Sequence, residues 1–347
     1  VSMVITFTSG DAKVVRDGKE VPASIGMIVY QQDLIHTENG TIDLQTRTGS
    51  AIRIREMTSL TVAKIAGQDG GETRLNMEQG SLLANVKKAS SDESFSVATP
   101  TAIAGVRGTT FAVDIDPFAQ TSNVKVIDGK VAMSPRIIAL ETATKTEIEN
   151  SVALQKMAEI QSQEVVLEEK TEGKLNPTVE KQVLAVNELT TSKAGQENPE
   201  TVRKEIEKIV PVIEAAAPAG KAVLTQEAKI TQQDLIEQQT LLTVEPELLA
   251  KISNETNNET ARKEIADIRV QKENEVLKKI EDVAAKEKLT TEKAVQQHYN
   301  RLEVITLLDG TQIVGAVIAQ TGDVLVIHSP QGVRRVNKAD IESQAFR

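Results

Sequence analysis

The chain has 347 residues, a formal net charge of −10 and no cysteine, which excludes disulfides, thiolate metal sites and cysteine nucleophiles. Aromatic residues make up only 2% of the chain, so its cores must be aliphatic and stacking platforms for bases are scarce. The acidic balance argues against a nucleic-acid partner, because binding a phosphate backbone requires clustered Lys and Arg.

Residues 1–134 are predicted to form short β-strands. Residues 41–45, 51–55 and 110–116 alternate apolar and polar side chains, so each strand can place one face on a core and the other toward water. Turn signals such as Asn39-Gly40 and Asp128-Gly129 separate the runs. Closely spaced strands of this kind predict an all-β sandwich or roll.

Residues 135–301 are rich in Glu, Lys, Gln and Ala and have helical spacing, which predicts a central α-helical bundle. The region carries two apolar stripes. Pro211 should kink or end the helix that carries the first stripe, and the second stripe lies on a helix predicted over residues 258–298. A stripe of either kind packs within the bundle or, alternatively, forms a partner interface. The first stripe is Val202, Ile206, Ile209 and Ile213, and the second is Ile265, Ile268, Val276, Ile280 and Val283.

Residues 198–209 and 257–268 are identical at eight of twelve aligned positions. Both segments have a polar cap and acidic residues before an apolar stripe, as at a helix start. The repeat predicts a duplicated helical unit. The alternative is that two Glu- and Lys-rich helices resemble each other through composition alone.

Residues 302–347 return to a strand pattern, with turn signals at Asp309-Gly310 and Thr321-Gly322. Four or five short strands in this length predict a small SH3-like β barrel. The whole chain is therefore expected to be a multidomain α+β protein. Its predicted domains are residues 1–134, 135–301 and 302–347.

The β-rich part carries a set of motifs: the segment from Gly10 to Gly18, the run Leu60-Thr61-Val62, and the step at residues 80–83. It closes with residues 95–111, which include Thr99-Pro100 and Ala104-Gly105-Val106-Arg107-Gly108-Thr109. Across residues 10–115 the sequence resembles the FecR protein domain. The resemblance implies an all-β extracytoplasmic domain, which in signalling members belongs to a membrane-anchored regulator of an iron-starvation sigma factor.

The regulator layout itself does not fit the sequence. No apolar run reaches the roughly 18–20 residues that span a bilayer, and no sigma-binding segment precedes residue 10. The better match is to stand-alone FecR-domain envelope proteins, many of them lipoproteins. We therefore expect that the precursor carries a signal peptide or a lipidated Cys before Val1.

The conspicuous candidate for ligand or partner binding is the loop that contains Gly105, Arg107, Gly108 and Thr109. The glycines permit close backbone approach, and Arg107 could hold a carboxylate through two hydrogen bonds. The alternative is a structural turn in which Arg107 forms an internal ion pair or hydrogen bonds to carbonyl groups.

No catalytic residue, metal site or cofactor is predicted. His36, His298 and His328 lie in three different regions and share no metal-ligand spacing. Asp33 and His36 could form a metal or acid–base pair, but such residues more often cap a turn.

The sequence thus predicts a non-catalytic binding or scaffolding protein of the bacterial envelope, periplasmic or associated with the outer membrane. Its expected partners are envelope proteins or a cell-wall component. The first alternative is the signal-receiving component of a FecR-like sigma-factor system. The second is a cell-wall glycan hydrolase that uses two carboxylates.

Overall fold

The computed structural model describes residues 2–67, 70–87, 93–218, 221–253 and 259–347. Its N-terminal part is built from strands: β1 (Met3–Ser9), β2 (Ala12–Arg16), β3 (Lys19–Pro22), β4 (Ile28–Val29), β5 (Leu34–Thr37), β6 (Thr41–Thr46), β7 (Ala51–Ile54), β8 (Ser59–Lys64), β9 (Gly71–Val86), β10 (Glu93–Ala98), β11 (Ala102–Val106), β12 (Thr109–Ile115), β13 (Ser122–Asp128) and β14 (Val131–Pro135).

These strands form two sheets that share the long strand β9. The first sheet has the order β4-β1-β6-β7-β9-β12-β13. The second has the order β3-β2-β5-β8-β9-β10-β11-β14. The pairing of β9 with β10 is parallel, and the other pairings named here are antiparallel.

Strand β9 passes from the second sheet to the first near Gly80. This glycine has a φ of +94°, and an added Cβ would lie 2.7 Å from the carbonyl oxygen of Met57. The backbone can therefore turn the corner only with glycine at this position. Between the two sheets lies an apolar, mainly aliphatic core with large buried members from both, among them Ile42, Leu44, Ile52 and Phe111 from the first sheet and Ile35, Leu60, Leu75 and Phe95 from the second.

The next part of the chain alternates helices with three further strands. The elements are α1 (Ile138–Thr142), α2 (Lys145–Glu149), α3 (Val152–Ser162), β15 (Val165–Leu167), β16 (Thr171–Leu175), α4 (Pro177–Thr191), α5 (Lys193–Glu197), α6 (Pro199–Ala216) and β17 (Val223–Glu227). Strand β15 extends the second sheet beyond β14, while β16 and β17 extend the first beyond β13. These strands were not predicted, because β15 has only three residues and the Thr and Glu residues of β16 and β17 match the composition of the helices around them.

The first predicted apolar stripe is confirmed. Val202, Ile206, Ile209 and Ile213 of α6 are buried in one core with residues of α3 and α4. The helix continues through Pro211 to Ala216.

The later helices are α7 (Gln232–Thr240), α8 (Pro246–Ser253), α9 (Glu259–Ala284) and α10 (Glu292–Tyr299). They pack separately from α1–α6: residues of α8 and α9 meet Val4 of β1, and others meet the C-terminal sheet. The predicted bundle is therefore not confirmed as a single unit. The predicted helix over 258–298 consists of two helices, and residues 257 and 258 of the predicted repeat lie outside the described residues.

The second predicted stripe is only partly correct. Ile265 and Val276 are buried, but Ile268 and Val283 are 39% and 65% exposed. The buried face of α9 includes Ala261, Ile265, Arg269, Glu273, Val276, Leu277 and Ala284. Two charged residues thus lie within the buried face, and the cluster that accepts them is described below.

The C-terminal elements are β18 (Glu303–Leu307), β19 (Gln312–Gln320), β20 (Val324–Ser329), β21 (Gly332–Asn337), a 3-10 helix (Lys338–Asp340) and β22 (Ile341–Phe346). They form one sheet of order β21-β20-β19-β18-β22. No ladder joins β21 to β22 in these residues, because β22 pairs with β18 instead, so a closed barrel is absent here. The mixed α and β character and the strand-rich N-terminal part are confirmed, and the SH3-like relationship of this sheet stays a prediction.

Candidate binding site at the junction of the three regions

The β6–β7 hairpin directs two charged residues away from the sandwich core. Ile42 and Leu44 face that core, so Asp43 between them faces the opposite side of the sheet. Its register partner is Arg53 of β7. The sequence predicted that this face meets water, but both side chains are buried, because the segment that contains α7 and α9 covers them.

Asp43 is the centre of a buried ionic cluster. Arg53 donates two hydrogen bonds to its carboxylate, Nε to Oδ1 and Nη2 to Oδ2, each of 2.8 Å. Arg269 of α9 donates to the same Oδ2 and also to Glu273, at 3.3 Å. Arg53 further donates to the hydroxyl of Thr240 on α7 at 2.9 Å. Two guanidinium groups and two carboxylates therefore compensate each other inside the protein.

The charge state of Asp43 follows from these neighbours. Burial by itself favours the protonated acid, but the guanidinium groups of Arg53 and Arg269 outweigh it and hold the pKa of Asp43 below its ordinary value. The carboxylate is therefore ionised at neutral pH, and its two pairings persist there.

Contacts beside this cluster attach other parts of the chain to the same face. The side-chain amide of Gln45 donates to the carbonyl of Val244 and accepts from its N–H, both at 2.7 Å. The guanidinium carbon of Arg269 lies 3.1 Å from the ring centroid of Phe7 on β1. Gly322 of the C-terminal region also packs against Phe7, since an added Cβ would lie 2.8 Å from the Phe7 ring.

A polar cleft of about 280 Å³ opens where the FecR-like strands, α7 and the C-terminal sheet meet. Arg55 donates to Glu237 of α7 at 2.8 Å and to the hydroxyl of Ser81 at 2.6 Å. Gln233 donates to the carbonyl of Gln320 at 2.9 Å. The lining residues are Thr41, Arg53, Arg55, Glu56, Ser81, Gln233, Glu237, Gln320, Thr321, Gly322 and Lys338.

Chemically, the cleft offers prearranged donors and acceptors. Its guanidinium groups are already hydrogen-bonded to protein carboxylates, so an incoming anion would have to compete with Glu237 and Asp43. A polar partner that exchanges hydrogen bonds at the rim fits this arrangement better than a strongly bound small anion.

Sequence reasoning missed these residues, although one signal was available. Arg269 and Glu273 lie four residues apart between the buried positions Ile265 and Val276. A charged pair inside an apolar stripe predicts a buried ionic partner.

The predicted binding loop is divided by the structure. Gly105 lies within β11, paired with Ser96 of β10. Gly108 has a φ of +71°, and the hydroxyl of the buried Thr109 donates to the carbonyl of Lys130 at 2.8 Å. Arg107 is exposed, and within the described residues it forms neither the internal ion pair nor the carbonyl contacts of the alternative interpretation. Its role in binding stays a prediction.

The neighbouring segment 99–101 is covered by helix α4. Glu180 accepts from the hydroxyl of Thr101 at 3.0 Å and from the N–H of Ser122 at 2.8 Å. Seven residues later, Asn187 donates to the carbonyl of Pro100 at 2.8 Å. Burial raises the pKa of Glu180 above its ordinary value, although these hydrogen bonds oppose the shift.

The proposed pairing of Asp33 with His36 does not occur. The Asp33 carboxylate accepts two hydrogen bonds from Arg16, at 2.8 and 2.6 Å, and one from the N–H of Tyr30. His328 is buried, and its Nδ1 lies 2.7 Å from the hydroxyl of Tyr299. Across the described ranges, no three His, Asp or Glu side chains are placed to hold a metal ion.

Of the helices in the described part of the chain, none has the combination of length and apolar character required to cross a membrane.

Two solved structures are similar to part of this chain. Two crystal structures of a candidate anti-sigma factor from Parabacteroides distasonis are similar to this chain at 18% and 13% identity, with TM-scores of 0.30 and 0.32. The alignments cover 42% and 59% of this chain and 55% and 62% of those chains, so this chain spans less than two thirds of either. At such TM-scores the two structures do not establish a shared fold.

No curated protein matches the chain. The family model described as "FecR protein" matches residues 33–132, a range that includes Asp43, Arg53, Arg55 and the loop around Arg107. It begins and ends later than the range 10–115 expected from the motifs. The residues that match the FecR model make up less than a third of the chain.

Proposed function

We propose that the chain is a non-catalytic binding or scaffolding protein of the bacterial envelope, extracytoplasmic and peripheral to a membrane. The FecR match supports the compartment. The observation that carries the proposal is the buried cluster of Asp43, Arg53, Arg269 and Glu273, which fixes the FecR domain to helix α9. A domain held in this way presents a fixed surface, as a scaffold requires.

The polar groups of the junction serve cohesion in this proposal. Asp43, Glu237 and Asp114 each receive a hydrogen bond or an ion pair from Arg53 or Arg55. Carboxylates engaged in this way hold elements together and are poorly suited to accept a substrate proton. The exposed Arg107 and the rim of the cleft are then the surfaces offered to a partner.

The other regions have supporting roles in this proposal. The C-terminal five-stranded sheet would act as an SH3-like module, and the helices would hold it against the FecR domain through Gln233 and Gln320. A signal peptide or lipidated Cys on the precursor would bring the assembly to the periplasm or the outer membrane.

Cell fractionation tests the compartment, and crosslinking tests the function. The natural precursor, tagged at its C-terminus in the bacterium that encodes it, should fractionate with the envelope. Crosslinking should join it to an envelope protein or a cell-wall component. Fractionation with the cytoplasm would refute the proposal, and so would release of reducing sugars from purified peptidoglycan, which would indicate the hydrolase instead.

A second candidate is the signal-receiving component of a sigma-factor regulatory system, and the FecR match favours it specifically. Deletion of the gene should then change the transcript levels of one sigma-factor regulon. Crosslinked material should contain an outer-membrane transporter or an anti-sigma protein. An unchanged transcriptome together with a purely structural partner would leave the scaffold as the function.

A further inference from the structure

The turn between β12 and β13 presents a phenylalanine to solvent. Phe118 is 95% exposed, in a chain with only five Phe and no Trp. The turn is well fixed, because the carboxylate of Asp116 accepts from the N–H groups of Phe118 and Ala119, at 2.9 and 2.7 Å. The N–H of Gln120 also donates to the carbonyl of Asp116 at 2.9 Å. A fixed backbone therefore holds a large apolar ring in water.

The turn between β7 and β8 presents a second large apolar side chain. Met57 is 65% exposed and has a φ of +58°, a backbone conformation that long side chains adopt at some cost. Its N–H donates to the carbonyl of Glu38 at 2.8 Å, and its carbonyl accepts from the side-chain amide of Gln79. Neither the exposed position nor the positive φ favours methionine, so the stability of the fold does not explain this residue.

The strand register brings these two turns to the same end of the first sheet. Strands β7 and β12 flank β9, with Ile54 opposite Leu82 and Ile115 opposite Gly80. Strands β7 and β12 therefore both end at the Gly80 end of the sheet, about 10 Å or two strand spacings apart. We call Met57 and Phe118 together the apolar tip.

The surroundings of the apolar tip are acidic. Lys338 lies 3.4 Å from Glu56, and Arg55 is paired with Glu237 and Asp114. Exposed carboxylates on these two turns, on β9 and on the β5–β6 turn that bonds to Met57 are Glu38, Glu56, Glu78 and Asp116. A surface of this kind repels anionic lipid and attracts a basic protein surface.

We infer that the apolar tip anchors a protein partner whose surface has an apolar recess surrounded by Lys or Arg. The inference deepens the proposed binding function and rests on it. Phe118 would fill the recess, Met57 would adapt to its wall, and the carboxylate rim would set orientation and association rate. Aromatic anchors at the centre of a protein interface carry most of its binding energy.

Photo-crosslinking from the tip finds the partner. The full chain is produced in its own bacterium with benzoylphenylalanine at position 118, and in a parallel culture at position 107 in the predicted loop. Position 118 should capture a protein whose crosslinked segment carries a net positive charge. Capture from position 107 alone would overturn the tip but retain the binding function. No capture from either position would overturn both.

Affinity measurements with the purified captured protein then test the tip itself. Phe118→Ser should weaken binding roughly tenfold or more, and Met57→Ser by less. Both positions are exposed, so the variants should fold normally. Val283→Ser, which changes a 65% exposed residue on α9, is the matched control and should leave affinity unchanged. Equal affinity of Phe118→Ser and the unaltered chain would refute the inference.

Two further readouts separate a protein partner from a membrane. Binding to the captured protein should weaken as salt is raised from low to physiological levels, since the rim contributes by charge. The chain should not cosediment with phosphatidylcholine vesicles or with vesicles that contain phosphatidylglycerol. Cosedimentation that is lost in Phe118→Ser would assign the tip to a lipid surface and overturn the protein partner.

Discussion

Arg53 holds Asp43 through two parallel hydrogen bonds of 2.8 Å, from adjacent strands of one hairpin, on a face that the rest of the chain buries. The pair alone would be an ordinary cross-strand contact. Arg269 of α9 makes it a junction, because its guanidinium group reaches the same carboxylate from a helix more than 200 residues away in sequence.

Removal of Arg269 should therefore destabilise the whole protein. Arg269→Met retains the apolar length of the side chain but removes one of the two cations that pair with Asp43 and leaves the buried Glu273 without its ion pair. We expect a loss of about 3–5 kcal/mol in the free energy of unfolding, measured by urea denaturation. Arg335→Met is the matched control, since Arg335 pairs with Glu281 at a more exposed position. It should cost under about 1 kcal/mol. Equal losses in the two variants would show that the cluster is not structurally special.

The sandwich was predictable from the sequence, but this junction was not. Period-two alternation places Ile42 and Leu44 in a core without any knowledge of the rest of the chain. The same alternation places Asp43 on the opposite face of the strand, but it does not indicate whether water or a helix covers that face. The cover depends on contacts between residues far apart in sequence, which local patterns do not encode.

The candidate site, too, was predictable from the sequence only in part. Gly108 could be assigned to a turn from its residue type, and the structure gives it a positive φ. The apolar tip could not be predicted, because Met57 and Phe118 are 61 residues apart in sequence and reach the same end of the sheet only through the register of β9 with its two neighbours.

Gln45 offers a test of the junction that does not involve charge removal. Its amide pairs with both polar groups of Val244. Gln45→Glu replaces the donating N–H by an oxygen that faces the Val244 carbonyl. We expect a loss of roughly 1–3 kcal/mol and faster proteolysis between α7 and α8. Gln296→Glu, at an exposed position of α10, serves as the comparison. Unchanged proteolysis in Gln45→Glu would mean that apolar packing alone holds this segment.

Gly80 should tolerate no side chain. Gly80→Ala places a methyl group 2.5 Å from the Cα of Thr58 and in a left-handed backbone conformation. Gly18→Ala has a similar φ of +74° but meets no atom within 4 Å, so it isolates the backbone cost of about 1 kcal/mol. Thermal unfolding of the two variants gives the steric part by difference. Gly80→Ala should therefore unfold at a lower temperature than Gly18→Ala. Amide hydrogens of the Met57 turn should also exchange faster in Gly80→Ala. Equal unfolding temperatures would argue that the corner of β9 can relax.

Glu180 predicts a pH dependence of stability with a definite sign. Its pKa is raised in the folded protein, mainly by burial, so the folded state binds the proton more tightly than the unfolded chain does. The stabilisation that results is complete below the ordinary glutamate pKa and is lost as pH rises through the raised value. Glu180→Gln keeps an acceptor oxygen for Thr101 and Ser122 but cannot ionise.

The difference in unfolding free energy between Glu180→Gln and the unaltered chain should therefore shift in favour of the variant as pH increases from about 4 to 7. Glu188→Gln, an exposed position on the same helix, should show no comparable trend. Urea denaturation of the three proteins at several pH values measures this difference. A trend of opposite sign would mean that the hydrogen bonds from Thr101 and Ser122 outweigh burial, and that an ionised carboxylate holds helix α4 on the N-terminal sheets.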